Sequence, residues 1–180
     1  MSKVGLFFGS DEGNTLSVAY RIQKRLGEAV VDVKDIADVT QLDFAEYDKL
    51  ILGIPTWDFG QLQSDWDEFW GDLEDVDFTG KTVALFGLGD QFGYGDYFID
   101  AVGMLHEVVS NQGGKMIGYW PTENYEFDAS KAEILGENLF MGLALDEDQQ
   151  ENLTSARLGQ WCKQIHKEFG LETPLHEVEA

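Results

Sequence analysis

The segment Gly9-Ser10-Asp11-Glu12-Gly13-Asn14-Thr15 follows the apolar run Val4–Phe8 and leads directly into residues with helical spacing. Glycines, hydroxyls and free backbone N–H groups at the mouth of a helix are the parts of a phosphate cradle. On this segment alone, an ordinary strand-to-helix turn capped by Ser or Asp explains the residues equally well. A second segment, Pro55-Thr56-Trp57-Asp58-Phe59-Gly60, puts two bulky aromatics just past another apolar run, where no core is available to receive them. A third, Gly87-Leu88-Gly89-Asp90-Gln91-Phe92-Gly93-Tyr94-Gly95, has the glycines that let a backbone approach a planar ligand and, in Tyr94, a ring to stack on it. Together the three describe a ligand with a phosphate tail and a flat, partly apolar head, and FMN has that shape. Each ring stacked on such a head adds about 0.5–1.5 kcal/mol beyond area burial. Each charge-assisted N–H to the phosphate adds about 1.5–3 kcal/mol.

These segments have to be held by something, and the rest of the chain says what. Extended runs are predicted at residues 3–8, 30–33, 50–54, 83–86, 116–120 and 141–145, with helical stripes between them. The stripes are Leu16, Ala19, Ile22 and Leu26; Trp66, Phe69, Trp70 and Leu73, opened by a Ser64/Asp67 capping pattern; Phe98, Ala101, Val102, Leu105 and Val109; and Leu158, Cys162, Ile165 and Phe169. Strands alternating with helices, the central strands lacking polar alternation, indicate an α/β fold with a parallel sheet covered on both faces. In such a sheet ligands bind beyond the carboxyl ends of the strands, where the three segments fall. Residues 121–139 read as a loop inserted into the last strand. The expected organisation is one domain over residues 1–170, followed by a frayed acidic tail over 171–180.

Composition removes several classes of function. Twelve basic against thirty-four acidic residues give a formal charge of -22, which repels nucleic acids and anionic membranes and favours basic protein partners. Asp58, Asp65, Asp67, Glu68, Asp72, Glu74, Asp75 and Asp77 lie between Pro55 and Thr79 with no Lys or Arg among them. This stretch reads as a solvated face or as a docking face for positively charged redox partners. Cys162 is the single cysteine, so no internal disulfide and no multi-cysteine metal site can form, and its place in a helical stripe predicts a buried, inert thiol. His106, His166 and His176 are far apart, and surface roles are expected for them. No run is long enough to span a membrane, and a cytoplasmic monomer is expected.

Over nearly its whole length the chain resembles the long-chain flavodoxins, most closely the second-type bacterial ones. The resemblance rests on Ser10–Thr15, on Ile54-Pro55-Thr56-Trp57, on Val83–Gln91 with Gly93-Tyr94, on Tyr125-Glu126-Phe127 ending the insertion, and on Gly142-Leu143-Ala144-Leu145-Asp146. It implies a flavodoxin-like doubly wound five-stranded sheet of order 2-1-3-4-5, its last strand split by the insertion. It further implies that Ser10, Gly13, Asn14 and Thr15 hold the FMN phosphate, that Thr56 reaches the phosphate or ribityl chain, and that Asp146 bonds the ribityl hydroxyls. Trp57 and Tyr94 would sandwich the isoalloxazine, with Asp90 and its neighbours offering backbone groups to the pyrimidine edge. The peptide joining Asp58 to Phe59 would turn its carbonyl toward flavin N5. The implied activity is low-potential one-electron transfer between semiquinone and hydroquinone, without substrate turnover, fed by an NADP-linked flavodoxin reductase and delivered to an acceptor protein.

Glu12, with Asp11 beside it, stands where family members carry a small hydroxyl residue. A carboxylate ~6 Å from the phosphate at an effective dielectric of ~20 would cost about 3 kcal/mol per phosphate charge. Both acids are therefore expected to point to solvent, leaving the phosphate mainly to backbone N–H groups. Three rival readings remain. A phospho-acceptor signalling domain lacks its acceptor Asp after the third strand, where Ile54-Pro55-Thr56 stands. A nucleotide hydrolase lacks the P-loop lysine, for which Asn14 stands. An FMN-less protein-interaction module is favoured by Glu12 alone.

Overall fold

In the computed structural model, which describes residues 3–176, three long strands make the centre of the sheet: β1 (Val4–Phe8), β3 (Lys49–Trp57) and β5 (Thr82–Leu88). They are continuous runs of Val, Leu, Ile, Phe and Ala because both faces are covered, which leaves no side for polar residues. β2 (Val31–Asp35) lies outside β1, and beyond β5 lie β6 (Lys115–Ile117) and β10 (Leu143–Leu145). All these pairings are parallel. β6 pairs with Thr82–Ala84 and β10 with Phe86–Leu88, so the predicted fifth strand exists in two pieces, and the order agrees with 2-1-3-4-5.

The helices α1 (Asn14–Leu26) and α5 (Glu151–Glu168) share one face of this sheet, while α3 (Ser64–Leu73) and α4 (Asp100–Asn111) take the other; α2 (Gln41–Phe44) is a single turn. From β1 the chain steps outward to β2 and then crosses back to β3. The loops leaving β1 and β3 therefore part to opposite faces and open a crevice between them.

The insertion is more ordered than a loop. β7 (Trp120–Pro121), β8 (Glu133–Ile134) and β9 (Leu139–Phe140) form a small antiparallel sheet, and Tyr125 and Phe127 pack on Phe98 and Phe140. Backbone bonds from Asp128 and Ala129 to Gly95 O, and from Phe98 to Ala129 O, tie it to the segment after β5. Short apolar pairs separated by polar turns carry too little periodicity to announce such strands.

Three local expectations are corrected. Gln63, fully buried, caps α3 by accepting from Trp66 N–H, and Ser64 is the first helical residue, because the longer amide reaches inward where a serine would not. Leu16 is exposed in the first turn of α1, while Ala19, Ile22 and Leu26 enter the core. His106 is half-buried and bonded to the Tyr119 hydroxyl at 2.8 Å, and burial pushes its pKa down. Of residues 171–180, expected as a frayed acidic tail, Leu171 and Leu175 pack on the core, His166 meets Thr173 O at 2.6 Å, and His176 N–H donates to Arg25 O. Residues 177–180 of that expected tail lie outside the described residues.

Tyr47 lies across β1, where a Cβ at Gly5 would come within 2.7 Å of its ring, and its hydroxyl donates to Asp32 Oδ2 at 2.8 Å. That bond, with Lys3 assisting against burial, holds the Asp32 carboxyl below 3.8. A depressed carboxyl stabilises the fold above its unfolded pKa and loses that contribution as pH falls through the folded value. Tyr47→Phe is expected to cost about 1 kcal/mol at pH 7, the net worth of one such bond. In urea melts the cost should shrink as the pH drops below 3.8; a cost independent of pH would assign the effect to packing.

Candidate functional site

The carboxyl ends of β1, β3, β5 and β10 surround a cleft of about 270 Å³. Its walls come from four exits. Ser10, Asp11, Glu12, Asn14 and Thr15 follow β1, and Pro55, Thr56, Trp57 and Asp58 close β3. Leu88, Gly89, Asp90 and Tyr94 follow β5, and Glu147 and Asp148 follow β10. All but the last two were expected from the sequence.

At the first exit Gly13 sits at the cap of α1 with φ 91, a left-handed conformation that only glycine adopts without strain, and its N–H donates to Ser10 Oγ. Ser17 N–H donates to Gly13 O, whereas no acceptor within the described protein takes the N–H groups of Asn14, Thr15 and Leu16. Three unclaimed donors at the positive end of a helix form an anion cradle. Asp11 and Glu12 are both exposed. Asp11 turns toward α3, accepting from Gln63 Nε2 at 2.9 Å and Ser64 Oγ at 3.3 Å, while Glu12 accepts from no described residue.

At the second exit a tight hairpin joins β3 to β4 (Gln61–Leu62), with Trp57 opposite Gln61. The Trp57 indole N–H is shielded from solvent and has no acceptor among the described residues. Thr56 Oγ accepts from Ala101 N–H at 3.0 Å, fixing the hairpin to the first turn of α4. Asp58 has φ 44 and Gly60 φ 83. A non-glycine residue in the left-handed region stores about 1–2 kcal/mol. Asp58→Gly is expected to raise the melting temperature of the ligand-free protein by about 2–4 °C; an unchanged or lower value in calorimetry would mean that the Asp58 side chain compensates for its backbone.

At the third exit Asp90 accepts from Phe92 and Gly93 N–H and from Gln149 Nε2. Burial acts to raise its carboxyl, and these bonds outweigh it, holding the pKa low. Tyr94 is 39% exposed, with Phe59 edge-on to it at 5.9 Å and itself 70% exposed. Two large rings are thus left at the mouth of the cleft with one face open.

Phe59 stands at the rim, and Gly60 lies behind the hairpin against Asp100. Gly87 is inside the sheet, where a Cβ would meet Val102 at 2.3 Å, and Gly95 is buried under the insertion near Asp128. Asp146 is fully buried and is not among the residues that line the cleft. Its Oδ2 accepts from Gln91 N–H and Nε2, and its Oδ1 from Asp148 and Gln149 N–H. At this exit the acids that reach the cleft are its neighbours Glu147 and Asp148. Burial pushes the Glu147 and Asp148 carboxyls up, and for Asp148 the charges of Asp90, Asp146 and Glu12 add to the effect. No Lys or Arg lines the cleft.

Elsewhere Cys162 is buried and its thiol is pushed up to about 12 by burial, as expected of an inert core residue. Among the described residues no group of His, Cys, Asp and Glu could hold a metal ion, and no helix is long and apolar enough to cross a membrane.

Comparison with known proteins agrees with this arrangement. The Flavodoxin family profile matches residues 6–161. Flavodoxin from Haemophilus influenzae is 50% identical over 171 residues, covering 95% of this chain and 98% of that protein. Flavodoxin 1 from Escherichia coli K12 is 49% identical over 176 residues, covering 98% and 99%. Among solved structures, Fusobacterium nucleatum flavodoxin bound to flavin mononucleotide superposes with a TM-score of 0.86 at 33% identity, covering 93% of this chain and 99% of that one. Oxidised Flavodoxin 2 from Bacillus cereus gives a TM-score of 0.72 at 25% identity, covering 93% and 100%. By sequence over nearly its full length, and by the sheet whose strand ends form the cleft, this chain belongs to the flavodoxin family.

Proposed function

We propose that the protein is a one-electron carrier that holds FMN non-covalently in the cleft at the carboxyl ends of β1, β3, β5 and β10. The observation that carries the proposal is the pairing, in one cleft, of unclaimed N–H groups at the mouth of α1 with the Trp57 indole, whose buried N–H lacks an acceptor. When bound, FMN supplies reversible electron transfer in single steps.

The residues divide that work. The backbone N–H groups of Asn14, Thr15 and Leu16 take the phosphate, Ser10 orders their loop by accepting from Gly13 N–H, and the Asn14 and Thr15 side chains flank the tail. Trp57 and Tyr94 exclude water from the two faces of the ring system, and Leu88, Gly89 and Asp90 border its edge. The hairpin at Asp58 and Phe59 is the part of the wall whose backbone can turn toward the ring, given its strained φ and its short paired stem. Asp146 acts behind the wall, holding the turn of Asp148 and Gln149 and the Gln91 loop in register. It makes no direct bond to the ligand in this reading, contrary to the role implied by the resemblance.

The open rings of Phe59 and Tyr94 and the acids around the cleft fit docking by a basic redox protein, such as an NADP-linked reductase on one side of the transfer and an acceptor on the other. Titration of the purified protein with FMN, followed by quenching of flavin fluorescence and then by stepwise potentiometric reduction, tests the proposal. Saturation at one equivalent with two separated one-electron potentials is expected. Free flavin recovered quantitatively on gel filtration would leave a module acting by protein contact alone, the reading that Glu12 favours.

A further inference from the structure

Asp35, Asp77, Asp90 and Asp146 each accept from the backbone N–H two residues ahead, and Asp90 and Asp146 also from the one three ahead. This is the ordinary behaviour of aspartate at a turn. Asp11 stands at the corresponding place before α1 and behaves differently. Gly13 N–H, two residues ahead, goes to Ser10 Oγ at 3.0 Å, and Asn14 N–H, three ahead, has no acceptor in the described protein. The Asp11 carboxylate is held by Gln63 instead. Gln63 is fully buried, and its head is spent on three bonds. Oε1 accepts from Trp66 N–H at 3.2 Å, while the two protons of Nε2 go to Asp11 Oδ1 at 2.9 Å and Asp65 Oδ2 at 2.8 Å. Ser64 Oγ adds a longer bond to the same Asp11 oxygen, at 3.3 Å. Gly9 makes room for this head, since a Cβ there would strike Gln63 Oε1 and come within 2.6 Å of the Trp66 ring.

Resting on the FMN reading of the cleft, we infer that Gln63 is a positioning residue of the phosphate site, acting through Asp11. It holds one of the chain's own carboxylates out of a cradle that this carboxylate would otherwise fill. Released, Asp11 would cap α1 as aspartate does at helix starts, taking N–H groups that the phosphate needs. Its charge would also stand at the positive end of the helix in the place of the ligand's. The amide holds both acids by charge-assisted bonds and brings no charge of its own. Gln63 thereby sets how strongly the site prefers a flavin that carries a phosphate over the same flavin without one.

The test compares FMN with riboflavin, which lacks only the phosphate, by quenching of flavin fluorescence in wild type, Gln63→Met, Asp11→Asn and the double variant. Methionine keeps the length of the buried side chain and removes its donors. Gln63→Met is expected to weaken FMN about tenfold and riboflavin less than about twofold. The gain in FMN affinity from Asp11→Asn is expected to be at least about fivefold larger in the Gln63→Met chain than in wild type, the coupling expected of two residues in contact. Loss of a buried helix cap alone would weaken both flavins alike and would not be relieved at Asp11. Should Gln63→Met fail to fold, Ser64→Ala on the exposed side of the same contact replaces it, with an expected loss of about threefold for FMN that Asp11→Asn again relieves. A wild type that binds neither flavin overturns the FMN reading and this inference together. A wild type that binds FMN, with a variant whose preference for FMN over riboflavin is unchanged or whose loss Asp11→Asn does not relieve, overturns this inference alone.

Discussion

Trp57→Ala is expected to weaken FMN binding about 100-fold while leaving the ligand-free protein folded. Trp57 is only partly buried in the absence of a ligand, at the end of β3 where its ring borders the cleft, so its removal opens no hole in the core. In the complex one indole face would cover the ring system. About 80 Å² of apolar surface withdrawn from water contributes about 2 kcal/mol, and the stacking geometry adds about 1 kcal/mol. A loss of ~2.7 kcal/mol corresponds to a hundredfold change in the dissociation constant. Trp57→Phe keeps a ring but no indole N–H, and it separates stacking from hydrogen bonding. If the N–H without an acceptor finds one on the ligand, the phenylalanine variant falls midway between alanine and wild type. Fluorescence titration of the three proteins decides the matter, and a loss below threefold for Trp57→Ala would remove the ring from the binding site.

The site residues were more legible than the devices that hold them. Exits after buried parallel strands can be located because the strands are unbroken apolar runs, and a glycine or hydroxyl after such a run has few structural duties. The runs underestimated β3 and β5, which continue to Trp57 and Leu88, because a proline or glycine after an apolar run reads as its end, whereas Pro55 and Gly87 stay buried in the ladder opposite Leu88 and Ile54. Gln63 carried no signal. A glutamine before a helix is ordinary, yet this one is fully buried, caps α3 through Oε1, and uses Nε2 to hold both Asp11 and Asp65. Only the fold brings Gln63 beside the first exit, 52 residues away in sequence. It also explains how Asp11 is tolerated at the phosphate loop: its charge is turned to donors on α3.

The β10 exit shows the opposite limit. An acid after the last strand looks like a ligand residue, and Asp146 has neighbours of the same kind in Glu147 and Asp148. Composition cannot rank three acids in a row. Backbone geometry can: an Asp at the start of a tight turn captures the N–H groups two and three residues ahead, as Asp146 does with Asp148 and Gln149. That capture, with the Gln91 contacts, uses both of its oxygens and turns the next two side chains toward the cleft.

Those cleft acids make the strongest electrostatic prediction. Glu12 and Asp148 accept no hydrogen bond from the described protein, so neutralising them disturbs no framework, unlike Asp90 or Asp146. A carboxylate ~10 Å from the site where an electron's charge develops, at an effective dielectric of ~40, opposes it by about 0.8 kcal/mol. That is roughly 35 mV for a one-electron step. The double variant Glu12→Gln with Asp148→Asn is therefore expected to raise the more negative of the two potentials by about 70 mV, and to tighten FMN binding through its phosphate. Burial first, and then the charges of Asp90, Asp146 and Glu12, raise the Asp148 carboxyl above 3.8. A carboxyl raised on folding opposes the fold above its folded pKa, and the opposition disappears as pH falls through that value. Asp148→Asn should thus be more stable than wild type at pH 7, with the gap closing toward acid pH. High salt should shrink the potential difference, since exposed charges separated by about a Debye length are screened. A potential that does not move in the double variant, at low salt and pH 7, would place both carboxylates in solvent too well screened to tune the bound flavin, leaving burial of the ring system as the remaining influence of the protein on its potential.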